Sequence, residues 1–298
     1  MISRPSSAFL RANHRYGQEN ILQGISVYFP RPLSQTNSSS TVWIIYIHGG
    51  AWRDPEITST SIEPTLEALV SNYSPQTLIG VAASHATTPT HLRNATHPDH
   101  LNDVRNAIAY LQDKYGFGER YILVGHSCGA TLAFQTVMKQ VVNTRAEEYS
   151  GTGLQIELPV AIVGVEGIYD LRALRDNFKE FLVYQEFIED AFGSDENIWD
   201  GASPAKVEGQ AGIEGGWVNG KLAVLAHSEA DELADMGQLR AMAKVAERWK
   251  AAETEGRTRN VLLLDDLKGA HDEIWNKGDE LARVIAKTIS ELKQSEKQ

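Results

Sequence analysis

Six short apolar runs punctuate the chain: TVWIIYI (41–47), TLIGVAA (77–83), YILVG (121–125), PVAIVGV (159–165), KLAVLAH (221–227) and NVLLLDD (260–266). Each is β-branched or leucine-rich and nearly continuous, the pattern of a strand covered on both faces of a parallel sheet. GISVYFP (24–30) differs, because Ile25, Val27 and Phe29 alternate with their neighbours as a half-buried strand does. RPLSQTNSSS, which follows it, reads as a turn or loop. Helical spacing fills the intervals. In HLNDVRNAIAYLQDKYG the apolar residues Leu101, Val104, Ile108 and Leu111 recur at helical spacing, and Gly116 marks the stop. ADMGQLRAMAKVAERWKAAE and GDELARVIAKTISELK repeat that pattern downstream.

Strand and helix in alternation predict an α/β fold with a mostly parallel central sheet flanked by helices. Residues 171–215 break the alternation with aromatics in FKEFLVYQEFIEDAFG and glycines in EGQAGIEGGW. This stretch is expected to be an insertion that caps the C-terminal edge of the sheet, where open α/β folds bind ligands. Residues 1–20 are polar and read as an N-terminal arm, and no long linker divides the 298 residues, so one domain is expected over 1–298.

Composition narrows the partners. The balance of 28 basic and 39 acidic residues, a net charge of -11, opposes nucleic acid and anionic membranes. Cys128 has no partner within the chain, and no run has the length of a signal peptide or membrane span, so a cytoplasmic protein is expected. The sequence allows a homodimer without requiring one.

The chemistry concentrates in four segments. VGHSCGAT (124–131) contains G-x-S-x-G between an apolar strand and a helix-compatible run, the setting in which a serine is exposed on a sharp turn. Ser127 is therefore the candidate nucleophile, and Cys128 beside it reads as a small buried filler. YIHGGAW (46–52) places glycines after another strand, where successive N–H groups can face a developing oxyanion. The expected donors are the amides of Gly50, Ala51 and Cys128, with Gly49 as a substitute; His48 reads as structural. Trp52 is expected to border the acyl pocket.

Among nine histidines only His271 lies just after the last predicted strand, in LKGAHDEIW. LAHSEADEL, after the preceding strand, offers Glu229, Asp231, Glu232 and Asp235 as the acid; Asp231 is the choice and Glu229 the alternative. The chain order Ser127, Asp231, His271 is that of an α/β-hydrolase triad. No His/Cys/carboxylate group has metal-ligand spacing along the chain, so neither metal nor cofactor is expected.

With HGGAW, GHSCGA, HSEADEL and GAHDEIW in place, the sequence resembles the α/β-hydrolases of the HGGxW esterase group, most closely the fungal-type kynurenine formamidases. The resemblance runs from YGQENILQGISVYFP to the final helix and puts nucleophile, acid and base on Ser127, Asp231 and His271. It implies a small-molecule substrate, N-formyl-L-kynurenine, cleaved to L-kynurenine and formate in tryptophan degradation. Where related lipase-like esterases have Y-R-L-x-P, this chain has SHATTP (84–89), although HPDHLNDV keeps the family-like His-Pro and Asp103. The alternatives are a carboxylesterase for short acyl esters using the same triad, a small-peptide hydrolase, and a hydrolase-fold scaffold that has lost catalysis. The scaffold reading predicts a missing triad member, and none is missing. Tyr169 and RNATH (93–97) are candidate contacts for the substrate's amino-acid end.

Overall fold

The computed structural model of the protein describes residues 9–18, 23–29, 42–72, 78–83, 95–139, 155–252 and 258–295. Eight strands form one sheet: β1 (Leu10–Arg15), β2 (Gly24–Phe29), β3 (Val42–Ile47), β4 (Leu78–Ala83), β5 (Tyr121–His126), β6 (Ala161–Val165), β7 (Leu222–Ser228) and β8 (Asn260–Leu267). Their order is β1-β2-β4-β3-β5-β6-β7-β8. The strands from β4 to β8 run parallel, and β1 and β2 form an antiparallel edge.

Alternate residues of each strand face opposite layers, and the helices cover both. On one face Trp43, Ile45, Leu123 and Leu225 pack with α2 (Asp99–Tyr115), α3 (Cys128–Gln135) and α8 (Met236–Ala251). On the other, Ile44, Tyr46, Val124 and Val224 pack with α1 (Glu63–Asn72) and α10 (Asp279–Ser295). The predicted stripe of α2 is buried throughout, and the helix ends at Gly116, whose φ of 63° only glycine adopts without strain. Among the described residues no helix is long and apolar enough to cross a membrane.

Three elements depart from the pattern read in the sequence. Residues 10–15, taken as part of a polar arm, form the edge strand β1, which hydrophobicity does not announce because its contacts are polar: Arg11 pairs with Glu63 at 3.1 Å and His14 Nε2 meets Tyr115 Oη at 2.8 Å. Strand β2 is not half-buried. Ser26 and Tyr28 are covered too, and their hydroxyls donate to Asn13 (3.0 Å) and Glu63 (2.8 Å). Conversely, β8 is bordered by a strand on one side only, so its apolar run is partly open and Leu263 is 45% exposed.

Between β6 and β7 lie α4 (Leu171–Asn177), α5 (Val183–Phe192), α6 (Glu196–Ala202) and α7 (Ile213–Gly216), the insertion expected at 171–215. Register sets what happens at the edge beneath it. Ile47 of β3 stands opposite Gly125 of β5, Gly125 opposite Gly164 of β6, and Val165 opposite Ala226 of β7. The residues that follow these strands therefore emerge at one level.

Candidate active site

Strand β5 passes into α3 through Ser127, whose backbone is left-handed at φ 56°, ψ −126°. Such a conformation costs a non-glycine residue about 1–3 kcal/mol and persists only where the surroundings enforce it. They do so here through main-chain bonds: Ser127 N–H donates to Val165 O (2.9 Å), and Ser127 O accepts from Ala130 N–H (3.0 Å). The two glycines of the motif are obligatory. A Cβ on Gly125 would lie 2.3 Å from Gly129 O, and one on Gly129 would lie 2.2 Å from Ile47 O. The turn thus jams β5, α3 and the end of β3 together, leaving the Ser127 hydroxyl at the sheet edge.

The loop after β3 carries three successive left-handed residues, Gly50 (φ 107°), Ala51 (φ 49°) and Trp52 (φ 59°), and Gly50 O accepts from both Arg53 N–H (2.9 Å) and Asp54 N–H (2.8 Å). Gly50 and Ala51 line the cavity that Ser127 also lines. A Cβ on Gly49 would stand 3.1 Å from Ser127 Cβ, so the loop lies directly against the serine. The Cys128 side chain is fully buried. Burial pushes its thiol up to about 12, against the opposing pull of the Trp52 and Ala51 amides, so it stays protonated and non-nucleophilic. His48 is buried, held near 4 by desolvation, and neutral; its Nδ1 meets Gly49 O at 2.8 Å.

Trp52 must be reassigned. Its ring is 2% exposed and packs in the core against Phe187 (6.2 Å) and, edge-on, Phe192 (5.0 Å), so it supports the insertion from below rather than bordering the cavity. The left-handed backbone at 50–52 turns the side chain inward, which the sequence alone does not reveal. Tyr169 is likewise a core residue, set against Phe134. SHATTP and the first two residues of RNATH lie outside the described residues.

Asp231 and His271 meet. His271, the first residue of α9 (His271–Lys277), donates from Nδ1 to Asp231 Oδ2 at 2.9 Å. Asp231 Oδ2 also lies 3.3 Å from His227 Nε2, while Oδ1 accepts from Leu233 N–H (2.8 Å) and Ala234 N–H (2.9 Å). Burial alone would raise this carboxyl, but the hydrogen bonds from His227 and His271 outweigh it and hold Asp231 well below the usual range. The other acids are occupied elsewhere or face solvent. Glu229 is exposed, Glu232 accepts from His271 N–H (3.1 Å), and Asp235 caps α8 through Gly237 N–H (2.7 Å). Ser127 and His271 line the same cavity; no hydrogen bond joins their side chains among the described residues.

Two residues outside the predicted site complete its floor. Glu166 directly follows β6 in a left-handed conformation (φ 48°), with its side chain fully buried and Oε2 at 3.3 Å from His126 Nε2 and 3.6 Å from His271 Nδ1. Desolvation, reinforced by Asp231, Glu232 and Asp272, pushes its carboxyl up to about 10, so it is neutral at physiological pH. The His126 ring lies 4.6 Å from that of His271, and its Nε2 reaches His271 O at 3.2 Å. A carboxylic residue just after a buried strand, at the same edge as the candidate nucleophile, was the signal available in GVEGIYD. His126, Glu166 and His271 each offer a ligating atom within 4.8 Å of the others, a grouping that spacing along the chain does not show. His271 Nδ1 is bonded to Asp231 and His126 Nε2 to the His271 carbonyl.

Over this floor opens a cavity of about 300 Å³. Val183, Tyr184 and Phe187 of α5, with Leu233, form an apolar wall, and Arg53, Asp54 and Asp272 supply charge. Tyr184 Oη donates to Leu233 O (2.9 Å), tying the insertion to the Asp231 loop. The size suits a small organic molecule.

Comparison with known proteins places this geometry. The family model BD-FAE matches residues 27–212. The chain is 40% identical over 285 residues to the kynurenine formamidase-like hydrolase fscH of Fusarium equiseti, covering 91% of this chain and 90% of that one. It is 36% identical to the kynurenine formamidase avaC of Aspergillus versicolor, over 82% of this chain and 87% of its relative. Among solved structures, esterase B of Lactobacillus rhamnosis superposes with a TM-score of 0.67 at 15% identity, over 98% of this chain and 86% of the other. Carboxyl esterase 2 of Tuber melanosporum gives 0.65 at 15% identity, over 98% and 87%. At that identity the structures share the fold alone.

Two outcomes are expected. Gly125→Ala destabilises the protein by about 3 kcal/mol or more in urea unfolding, because backbone must move to admit one methyl. Glu166→Gln tests the buried acid. The folded chain keeps a proton that the unfolded chain loses above its ordinary value of 4.5, so this contribution is full below that value and erodes as pH rises toward about 10. The amide has no such loss. The Tm of Glu166→Gln should exceed that of the wild type by a few degrees, and the gap should widen between about pH 5 and about pH 9.

Proposed function

Because this chain belongs to the BD-FAE family, whose α/β-hydrolase fold it has, we propose that it is a serine hydrolase cleaving the formamide of N-formyl-L-kynurenine to L-kynurenine and formate, a step of tryptophan degradation. One observation carries the reading: Asp231 takes a 2.9 Å hydrogen bond from His271 in the cavity that Ser127 and the 50–51 loop also line. The similarity to the kynurenine formamidase avaC over 82% of the chain supports the choice of substrate.

In this mechanism Ser127 Oγ attacks the formyl carbon while His271 Nε2 takes its proton. Asp231 holds the imidazole with Nδ1–H facing the carboxylate and balances the positive charge that develops. The amides of Gly50, Ala51 and Cys128 receive the oxyanion, at a site where each donor contributes about 2.7–4 kcal/mol. The C–N bond breaks as His271 returns the proton to the departing arylamine. A water then repeats the sequence on the formyl ester and releases formate. A formyl group has no side chain, so the acyl side can stay narrow; the rings of Tyr184 and Phe187 give the aromatic amine a wall to lie against. The substrate is a small molecule, and nothing in the scheme calls for nucleic acid or a membrane.

Ser127→Ala should lower kcat/KM for N-formyl-L-kynurenine by about 10⁴-fold or more while the protein stays folded. Appearance of kynurenine absorbance measures the rate, and loss of fluorophosphonate labelling shows that Ser127 is the reactive group. A wild-type preference for p-nitrophenyl acetate over N-formyl-L-kynurenine in kcat/KM would favour the esterase reading instead.

A further inference from the structure

The charged groups of the cavity are sharply unequal. Among the described residues Arg53 is the one Lys or Arg that lines it, whereas Asp54 and Asp272 line it as carboxylates. Arg53 directly follows the left-handed turn, its N–H donating to Gly50 O (2.9 Å), so its position is tied to the amides proposed to hold the oxyanion. The guanidinium carbon lies 5.9 Å from the centre of the Phe187 ring, against the aromatic wall. Its ion pair with Asp190 is long, 3.4 Å, and open to water, the two side chains being 38% and 56% exposed. Such a pair contributes little and is readily exchanged for another carboxylate.

We propose that Arg53 is the specificity residue for the amino-acid end of the substrate, pairing with its α-carboxylate while Asp54 and Asp272 flank the α-ammonium. This rests on the formamidase reading above. An arylformamide seated with its formyl carbon at Ser127 and its ring along Tyr184 and Phe187 carries an ortho chain ending in a zwitterion. That end meets a cavity whose other fixed charges among the described residues are carboxylates, and these repel an unpaired anion. Arg53 supplies the opposite charge in a planar fork that matches a carboxylate. The site then selects aromatic formamides bearing a free amino acid over simple formanilides.

The test compares kcat/KM for N-formyl-L-kynurenine and for its α-carboxamide in the wild-type protein and in Arg53→Gln. Wild type should prefer the free acid by about 10- to 100-fold, the size of a charge-assisted hydrogen bond, expressed in KM and shrinking as salt is added. Arg53→Gln should abolish the preference. Asp190→Asn, which releases the guanidinium, should enlarge it. A preference that survives intact in Arg53→Gln, no preference in wild type, or a fall in Asp190→Asn overturns the assignment of Arg53 and leaves the formamidase reading standing. Wild-type protein that hydrolyses neither formamide overturns both.

Discussion

Everything at the candidate site depends on one steric constraint, the contact of the turn between β5 and α3 with the end of β3. Gly129 lies so close to Ile47 O, and Gly125 to Gly129 O, that neither tolerates a Cβ. That closeness fixes Ser127 in a backbone conformation it would not otherwise adopt, and it sets the 49–52 loop against the serine. The proposed nucleophile and the amides proposed to serve it are thereby parts of one rigid joint. A hydroxyl held this way loses little entropy when it attacks.

The acid–base half of the site is built differently, from buried charge. Asp231 is kept ionised by four hydrogen-bonding partners, whereas Glu166, close by and more poorly partnered, is kept protonated by desolvation and by the carboxylates around it. Two neighbouring carboxyls in one low-dielectric pocket cannot both ionise cheaply, and the hydrogen bonds decide which does. The result is a single negative charge facing His271 Nδ1, with a neutral acid beside it. The ring of His126 lies 4.6 Å from that of His271.

The insertion contributes shape and selectivity. Helix α5 faces Tyr184 and Phe187 to the cavity, Trp52 supports Phe187 from beneath, and Tyr184 is anchored to the Asp231 loop. The aromatic wall and the proposed catalytic acid therefore share a scaffold. Changes in one are felt by the other, which couples the space for the leaving group to the chemistry.

The sequence by itself determined the parallel sheet, since six nearly continuous apolar runs have no other economical burial, and it singled out Ser127, Asp231 and His271 as candidates through their places just after three different strands. It determined these because strand periodicity, glycine punctuation and chain order are local properties. It did not determine β1, whose pairing rests on Arg11, His14 and other polar contacts across the sheet edge, nor the exposure of β8, which follows from its place at the end of the strand order. The inward turn of Trp52 and the meeting of Glu166, His126 and His271 were likewise decided only by tertiary structure. Side-chain direction after a left-handed turn, and the ionisation of a carboxyl beside another, depend on atoms distant in the chain, and those come together only when the sheet is assembled.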